Sequence, residues 1–301
     1  MVKDSVNGYT ILGNQIYLNK NNNTFLATRK PILIFKGDGN DSTFIAADTL
    51  FSGLKSKDSI GNLTLTGNID TLQQAMVIDL ADSTQRVISP NDSTQKKSPI
   101  SILNSTTKSA NSDTIRYFQA FHHVRIFNDS LQSVCDSLYY SSEDSVFRLF
   151  NDPLVFANNS QIAGDTIFIF SKNRKAERVY VFENAILVNK ANDQMFNQIS
   201  GRTINGYFKD GNIDYMRSKG SPAESVFYPQ DDDSAYIGMN RSKGDVIDVY
   251  FLNKEVHKVK FVNDVDGTLY PIRQIPEDQK FLKKYSWQDA RRPKHKLELF
   301  E

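Results

Sequence analysis

Acid and imidazole side chains are the first place to look for chemistry in this 301-residue chain, and its carboxylates recur in a pattern. Asp48, Asp136 and Asp165 each follow a small residue (Ala47, Cys135, Gly164) and precede a Ser or Thr and then an aliphatic residue. A carboxylate so placed could serve as a general acid or base, or could accept hydrogen bonds from backbone amides as an Asx-type turn former. Catalysis needs one unique constellation, whereas a ladder of equivalent carboxylates signals architecture. A corner role is therefore expected, and no catalytic residue is assigned.

The remaining reactive groups are sparse. His122 and His123 are neighbours on an expected strand, so they point to opposite faces and cannot both ligate one metal in regular geometry. His257 and His295 have no ligand-type residue at a recognised spacing, and the acidic run 231–233 lacks any EF-hand or nonapeptide pattern and reads as a solvated turn. The basic segment KFLKKYSWQDARRPKHK (residues 280–296), with Tyr285 and Trp287 interleaved, could touch phosphate or lipid head groups. A short helix and a docked tail is the preferred reading. There is no nucleophile elbow, P-loop, dinucleotide fingerprint or zincin helix, and neither metal nor cofactor is expected. Because a glycosidase needs only two carboxylates, a carbohydrate-active β-solenoid remains the enzyme alternative.

The elements that would position such residues read as strands. The chain has 13 Tyr and 20 Phe, many beside Val and Ile, and aromatic and β-branched side chains suit a pleated, half-buried surface. Charge is balanced at 36 Lys plus Arg against 35 Asp plus Glu, so no global field would steer nucleic acid. Cys135 is the single cysteine, which excludes an intrachain disulfide. No stretch approaches the roughly 18 apolar residues of a spanning helix, and VKDSVNGYTILG after Met1 lacks the apolar core of a signal peptide. In an exported protein, Met1 would then begin a mature fragment. Four regions are expected: β coils over 1–51, a polar, partly mobile insertion over 52–113, the main β region over 114–275, and a basic tail over 276–301, helical or irregular.

Repetition is the strongest signal. STFIAADTLF, SLQSVCDSLYY and SQIAGDTIFIF share a polar start, a small residue, the Asp, Ser or Thr, and an aliphatic; NQISGRTINGYF is a fourth copy, with Arg202 in the Asp position after Gly201. The first three copies each follow an aliphatic run ending in Asn or Asp (PILIFKGDGND, HHVRIFND, PLVFANN). Units this small cannot bury their own apolar face, so they must stack. A large side chain at the small position would clash at a crowded corner.

This ordered repeat resembles the OstA-like (LptA) family of periplasmic lipopolysaccharide-transport proteins, most clearly over residues 118–228. The resemblance implies an all-β, stacked β-jellyroll solenoid, V-shaped and open-ended. It also implies a non-enzymatic protein of the periplasm or envelope that shields lipid A acyl chains in an apolar groove. End strands would pair with other transport proteins or head to tail with a second copy. The expected groove lining is Val124, Ile126, Leu154, Phe156, Ile162, Ile167, Ile169, Val181, Ile186 and Val188. A structural solenoid that self-assembles without a ligand is the remaining alternative.

Overall fold

The computed structural model describes residues 1–4, 8–36, 42–56, 114–172 and 175–300. The chain divides into two compact units, residues 1–54 with 116–301 and residues 55–115. Almost all of the second unit lies outside the described residues, as do the expectations made for 57–113. Residues 52–56, expected to open the insertion, continue a strand.

The described strands are β1 (Val2–Asp4), β2 (Tyr9–Leu12), β3 (Gln15–Asn19), β4 (Thr24–Thr28), β5 (Ile32–Lys36), β6 (Ser42–Ala46), β7 (Thr49–Ser56), β8 (Thr114–Phe127), β9 (Gln132–Ser141) and β10 (Val146–Phe150). They continue as β11 (Leu154–Ala157), β12 (Ser160–Ala163), β13 (Thr166–Lys172), β14 (Lys175–Lys190), β15 (Phe196–Lys209), β16 (Asn212–Phe227), β17 (Gly238–Leu252), β18 (Glu255–Val262) and β19 (Asp266–Pro271). The only helical segments among them are short 3-10 turns near the C-terminus. The fold is all-β, as the aromatic and β-branched composition implies.

Each rung of the fold turns a corner in its middle. Long strands pass it with a shift of register, between Phe121 and Val124 in β8, Phe182 and Ala185 in β14, and Ser200 and Thr203 in β15. Elsewhere the corner separates two strands, as between β10 and β11 or β12 and β13. The corner divides the rungs into two arms. Residues 137–141 of β9 pair with β10 in the first arm, and residues 132–134 pair with β11 in the second. β14 likewise pairs with β13 before its corner and with β12 after it. These pairings close a six-stranded barrel in the order β9, β10, β13, β14, β12, β11. A jellyroll solenoid is not evident from the pairings alone. What they define is this barrel, joined at β9 to β8 and at β14 to β15.

The inward faces of the two arms form one apolar cluster running from Tyr9 in β2 to Phe251 in β17. Ile162 and Leu187 of the second arm and Leu149, Ile167 and Ile204 of the first are almost fully buried in it. Each such side chain contributes about 1.5–3 kcal/mol when removed from water.

The outer face of the second arm is covered by the chain's own tail, residues 272–300. Its basic segment is a docked strap with 3-10 turns at Ile272–Gln274, Glu277–Gln279, Asp289–Arg291 and Lys296–Phe300. Buried amide side chains hold it by its backbone. Gln198 donates to the Lys280 carbonyl at 2.9 Å and accepts from the Leu282 amide at 2.8 Å. Gln161 does the same with the Ser286 carbonyl and Gln288 amide, both at 2.7 Å. Gln132 accepts from Arg292 Nε at 2.8 Å, and Arg241 donates to the Gln279 carbonyl at 2.7 Å. Leu282 and Leu299 pin the two ends of the strap into small apolar clusters. Replacing Gln198 with Ala strands a buried amide and a buried carbonyl. It is expected to cost about 2–3 kcal/mol, read as a lower urea midpoint with unchanged slope, while an exposed control such as Gln274→Ala leaves the midpoint in place.

Candidate functional site: the corner column and the apolar seam

The small-Asp motif lies at the corner in every copy. Its backbone amide bonds across to the neighbouring rung: Asp48 to the His122 carbonyl at 3.0 Å, Asp136 to Asn151 at 3.2 Å, and Asp165 to Glu183 at 3.1 Å. The side chains pair the same way. His123 Nδ1 lies 2.8 Å from Asp48 Oδ2, and His122 Nδ1 lies 3.1 Å from Asp136 Oδ1. Asn184 donates to both oxygens of Asp165 at 3.0 and 2.8 Å. In the fourth copy the charges are exchanged, with Arg202 Nε donating to Glu183 at 2.8 Å. The partner is thus the adjacent rung, where a purely local Asx turn was one expectation.

Two kinds of corner alternate along the column. Most rungs facing the small-Asp corners turn through two consecutive left-handed residues, Arg29 with Lys30, His122 with His123, Asn151 with Asp152, Glu183 with Asn184, and Asn263 with Asp264, whereas β16, facing the Gly201 corner, turns between Lys219 and Ala223 with a cis Ser221–Pro222 bond. His122 and His123 therefore do not sit on opposite faces of a regular strand. They occupy a bulge, at φ 61° and 50°, and reach to opposite neighbouring rungs. The small residue is required by crowding: a Cβ on Gly164 would stand 2.2 Å from Val181 Cγ1, and one on Gly201 would stand 2.6 Å from the Lys219 carbonyl oxygen. The His122 and Ser137 hydrogen bonds hold the Asp136 carboxyl below its usual range. Burial pushes the Cys135 thiol up to about 12, so it is protonated and unreactive at neutral pH. Among the described residues no group of three or more His, Cys, Asp or Glu could hold a metal ion.

The ten residues expected to line a groove are all buried, but they fall on two faces. Val124, Ile126, Ile162, Ile167, Ile169 and Val181 point inward into the seam between the arms. Leu154, Phe156, Ile186 and Val188 point outward from the second arm. Leu154 and Phe156 pack with Val134, and the Arg292 guanidinium lies 5.9 Å from the Phe156 ring centre. Val188 lies between Gln161 and Gln198, directly under the strap. Their inward neighbours are Val155, Ala157, Ala185 and Leu187.

At the end of the arms away from the corner, the seam has a mouth made by aromatic rings that span both arms. Phe35 of the second arm meets Phe118, Tyr140 and Phe147 of the first at centroid distances of 5.2, 5.4 and 6.1 Å. Tyr9 meets Phe118 edge-on at 5.0 Å. These rings surround a cavity of about 120 Å³ that Arg116 also lines. A second cavity of about 40 Å³ adjoins it, lined by Ile126, Leu131, Phe147, Ile169 and Ala176 among others. The sequence reading placed Ile126 and Ile169 in the lining and missed the rings. Their signal was the alternation of Phe118 with Ala120 and of Leu138 with Tyr140.

No protein-family model matches the chain, and no curated protein matches it. No helix among the described residues is long and apolar enough to cross a membrane.

One buried carboxylate lies apart from the corner and the seam. Asp248, on the outer face of the first arm, accepts from Arg217 Nε at 2.7 Å, Arg217 Nη2 at 3.0 Å and Tyr215 Oη at 2.7 Å. Burial opposes its charge, but the bonds from Arg217 and Tyr215 outweigh it and hold the carboxyl below its usual range. Its stabilising effect is therefore complete above the unfolded-state value of about 3.9 and is lost as pH falls through the lower folded-state value. Asp248→Asn is expected to cost about 2 kcal/mol at pH 7, allowing for the half-exposed Arg217. Urea midpoints at pH 7 and pH 3 check this, since the gap between variant and parent should narrow at the lower pH.

Proposed function

We propose that the protein is a non-enzymatic carrier that shields acyl chains of lipopolysaccharide between its two arms, acting in the periplasm or envelope as the OstA-like resemblance implies. The observation that carries this reading is the single apolar cluster that continues from rung to rung between the arms, with Ile126 and Ile169 beside a cavity at its mouth. The finer architecture belongs to the same proposal. The barrel closes only because β9 and β14 run through both arms, which is compatible with rungs stacked as a V-shaped jellyroll solenoid.

Energetics favour such a use of the seam. Burying a chain of about twelve methylenes is worth about 10 kcal/mol at roughly 0.8 kcal/mol each. The cavities are smaller than the roughly 300 Å³ at the lower end of ordinary ligand pockets, so the chains enter as the arms part at the mouth. The corner then acts as the hinge, because its hydrogen bonds tie neighbouring rungs together and leave the far ends of the arms joined by packing.

The ends of the stack support the proposed partners. Among the described residues β1 pairs with β2 alone and β3 with β4 alone, while β18 and β19 each pair only with β17. Strand edges of this kind accept a further strand, from another transport protein or from a second copy.

A photocrosslinking residue at position 126 or 169 is expected to capture labelled lipopolysaccharide in envelope vesicles that contain the transport partners. One at Leu18, on the exposed β3, is expected to capture none. A folded protein without lipid adducts at either inner position would overturn the carrier reading.

A further inference from the structure

The two mouth cavities differ in character, and the difference has a direction. The larger is ringed by aromatic side chains and carries Arg116, Ser142, Thr43 and Ser171. The smaller, which shares Thr43, Phe147 and Ser171 with it, is otherwise lined by Ile126, Leu131, Ile169, Ala176 and Asn128. Arg116 is the one charged side chain among the described residues lining either cavity.

Its setting is unusual for an arginine. Alternation with Phe118 and Ala120 turns Arg116 to the inward side of β8. Its backbone is fixed to Ser142 on both sides: the Arg116 amide donates to Ser142 Oγ at 3.1 Å, and the Ser142 amide donates to the Arg116 carbonyl at 2.9 Å. The guanidinium donates from Nη1 to the Asn23 carbonyl at 2.9 Å and, more distantly, to Ser52 Oγ at 3.5 Å. Nε is buried without a hydrogen-bond partner. Arg116 makes none of the ion pairs found among the described residues. A guanidinium that faces an aromatic cavity, with no carboxylate paired to it among the described residues, is set to receive an anion that offers acceptor oxygens, such as carboxylate or phosphate.

We infer that the mouth takes an amphiphile with one anionic group and one alkyl chain, with Arg116 binding the phosphate or carboxylate while the chain runs past Phe147 toward Ile126 and Ile169. This rests on the carrier reading for the importance of the seam, and adds to it the chemical class and orientation of the occupant. Phe147 lines both cavities and is half-buried. Its side chain is the gate between them, since turning it aside joins the two spaces.

The test is calorimetric titration of the purified full chain with dodecyl phosphate, dodecanoate and dodecanol below their aggregation concentrations. Both anions are expected to bind at least about tenfold more tightly than the alcohol, as a charge-assisted hydrogen bond is worth at least one factor of ten. Arg116→Gln should erase that preference and leave alcohol binding unchanged; Arg116→Lys should restore part of it, and Phe147→Ala should strengthen binding of all three. Inorganic phosphate should compete weakly. Full competition by phosphate would reduce the site to a simple anion site and overturn the amphiphile assignment. Equal binding of anion and alcohol by the folded parent would overturn the inference as well. That outcome, with lipopolysaccharide still captured from positions 126 and 169, leaves the carrier reading standing. An anion preference that Arg116→Gln removes, without any lipopolysaccharide adduct, separates the two in the opposite sense.

Discussion

Every rung of this fold must turn at the same place, and antiparallel neighbours must take that turn in opposite directions. The chain meets this constraint with two different corners laid side by side. One uses a small residue followed by Asp, which lets the neighbouring backbone approach closely. The other, except in β16, uses two left-handed residues, a conformation costly for side chains with a Cβ and held by hydrogen bonds from a neighbouring rung. Asp48 with His123, Asp136 with His122, Asp165 with Asn184 and Arg202 with Glu183 are versions of one joint.

The two corners also decide which side chains face inward. Across a small-Asp corner the inward set changes parity, from Ile162 to Ile167 and Ile169 or from Cys135 to Leu138. Across a left-handed pair it does not, as Val179 and Val181 lead to Ala185 and Leu187. The motif itself was legible in sequence, and the residues read beside it in β12 and β13 face inward. The residues misplaced by one, Leu154, Phe156, Ile186 and Val188, all lie just beyond left-handed pairs. Asn151 with Asp152 and Glu183 with Asn184 carry no glycine to announce a turn, so the register there could not be read from residue types. The architecture of the repeat was visible; whether its pairings close a barrel depends on strands that cross between arms, which periodicity does not reveal.

The polar residue near the start of the second, third and fourth motif copies, and Arg241 at the corresponding place in β17, have their explanation outside the rung. Gln132, Gln161, Gln198 and Arg241 each stand four residues before a corner, on every second rung, and each reaches the strap or its side chains. A glutamine there offers both a donor and an acceptor, which is what an extended backbone with no strand partner needs. Basic residues of the tail add to this holding: Arg292 also donates to the Asn158 carbonyl at 2.9 Å, Arg291 to Asp152 at 2.6 Å and Lys284 to Asn184 Oδ1 at 2.7 Å. The strap grips one arm. Its bonds run along the second arm from Gln132 to Arg241.

The alternation of corners has a consequence for how such a chain can grow. A single added rung would bring two like corners into contact, either two close approaches without the bulge that receives them or two bulges without a partner. Added in pairs, rungs preserve the joint, the parity of the inward face and the spacing of strap-holding glutamines at once. Length in this architecture would then change by even numbers of strands, in steps of about 10 Å, and a tail that spans them would lengthen in the same increments.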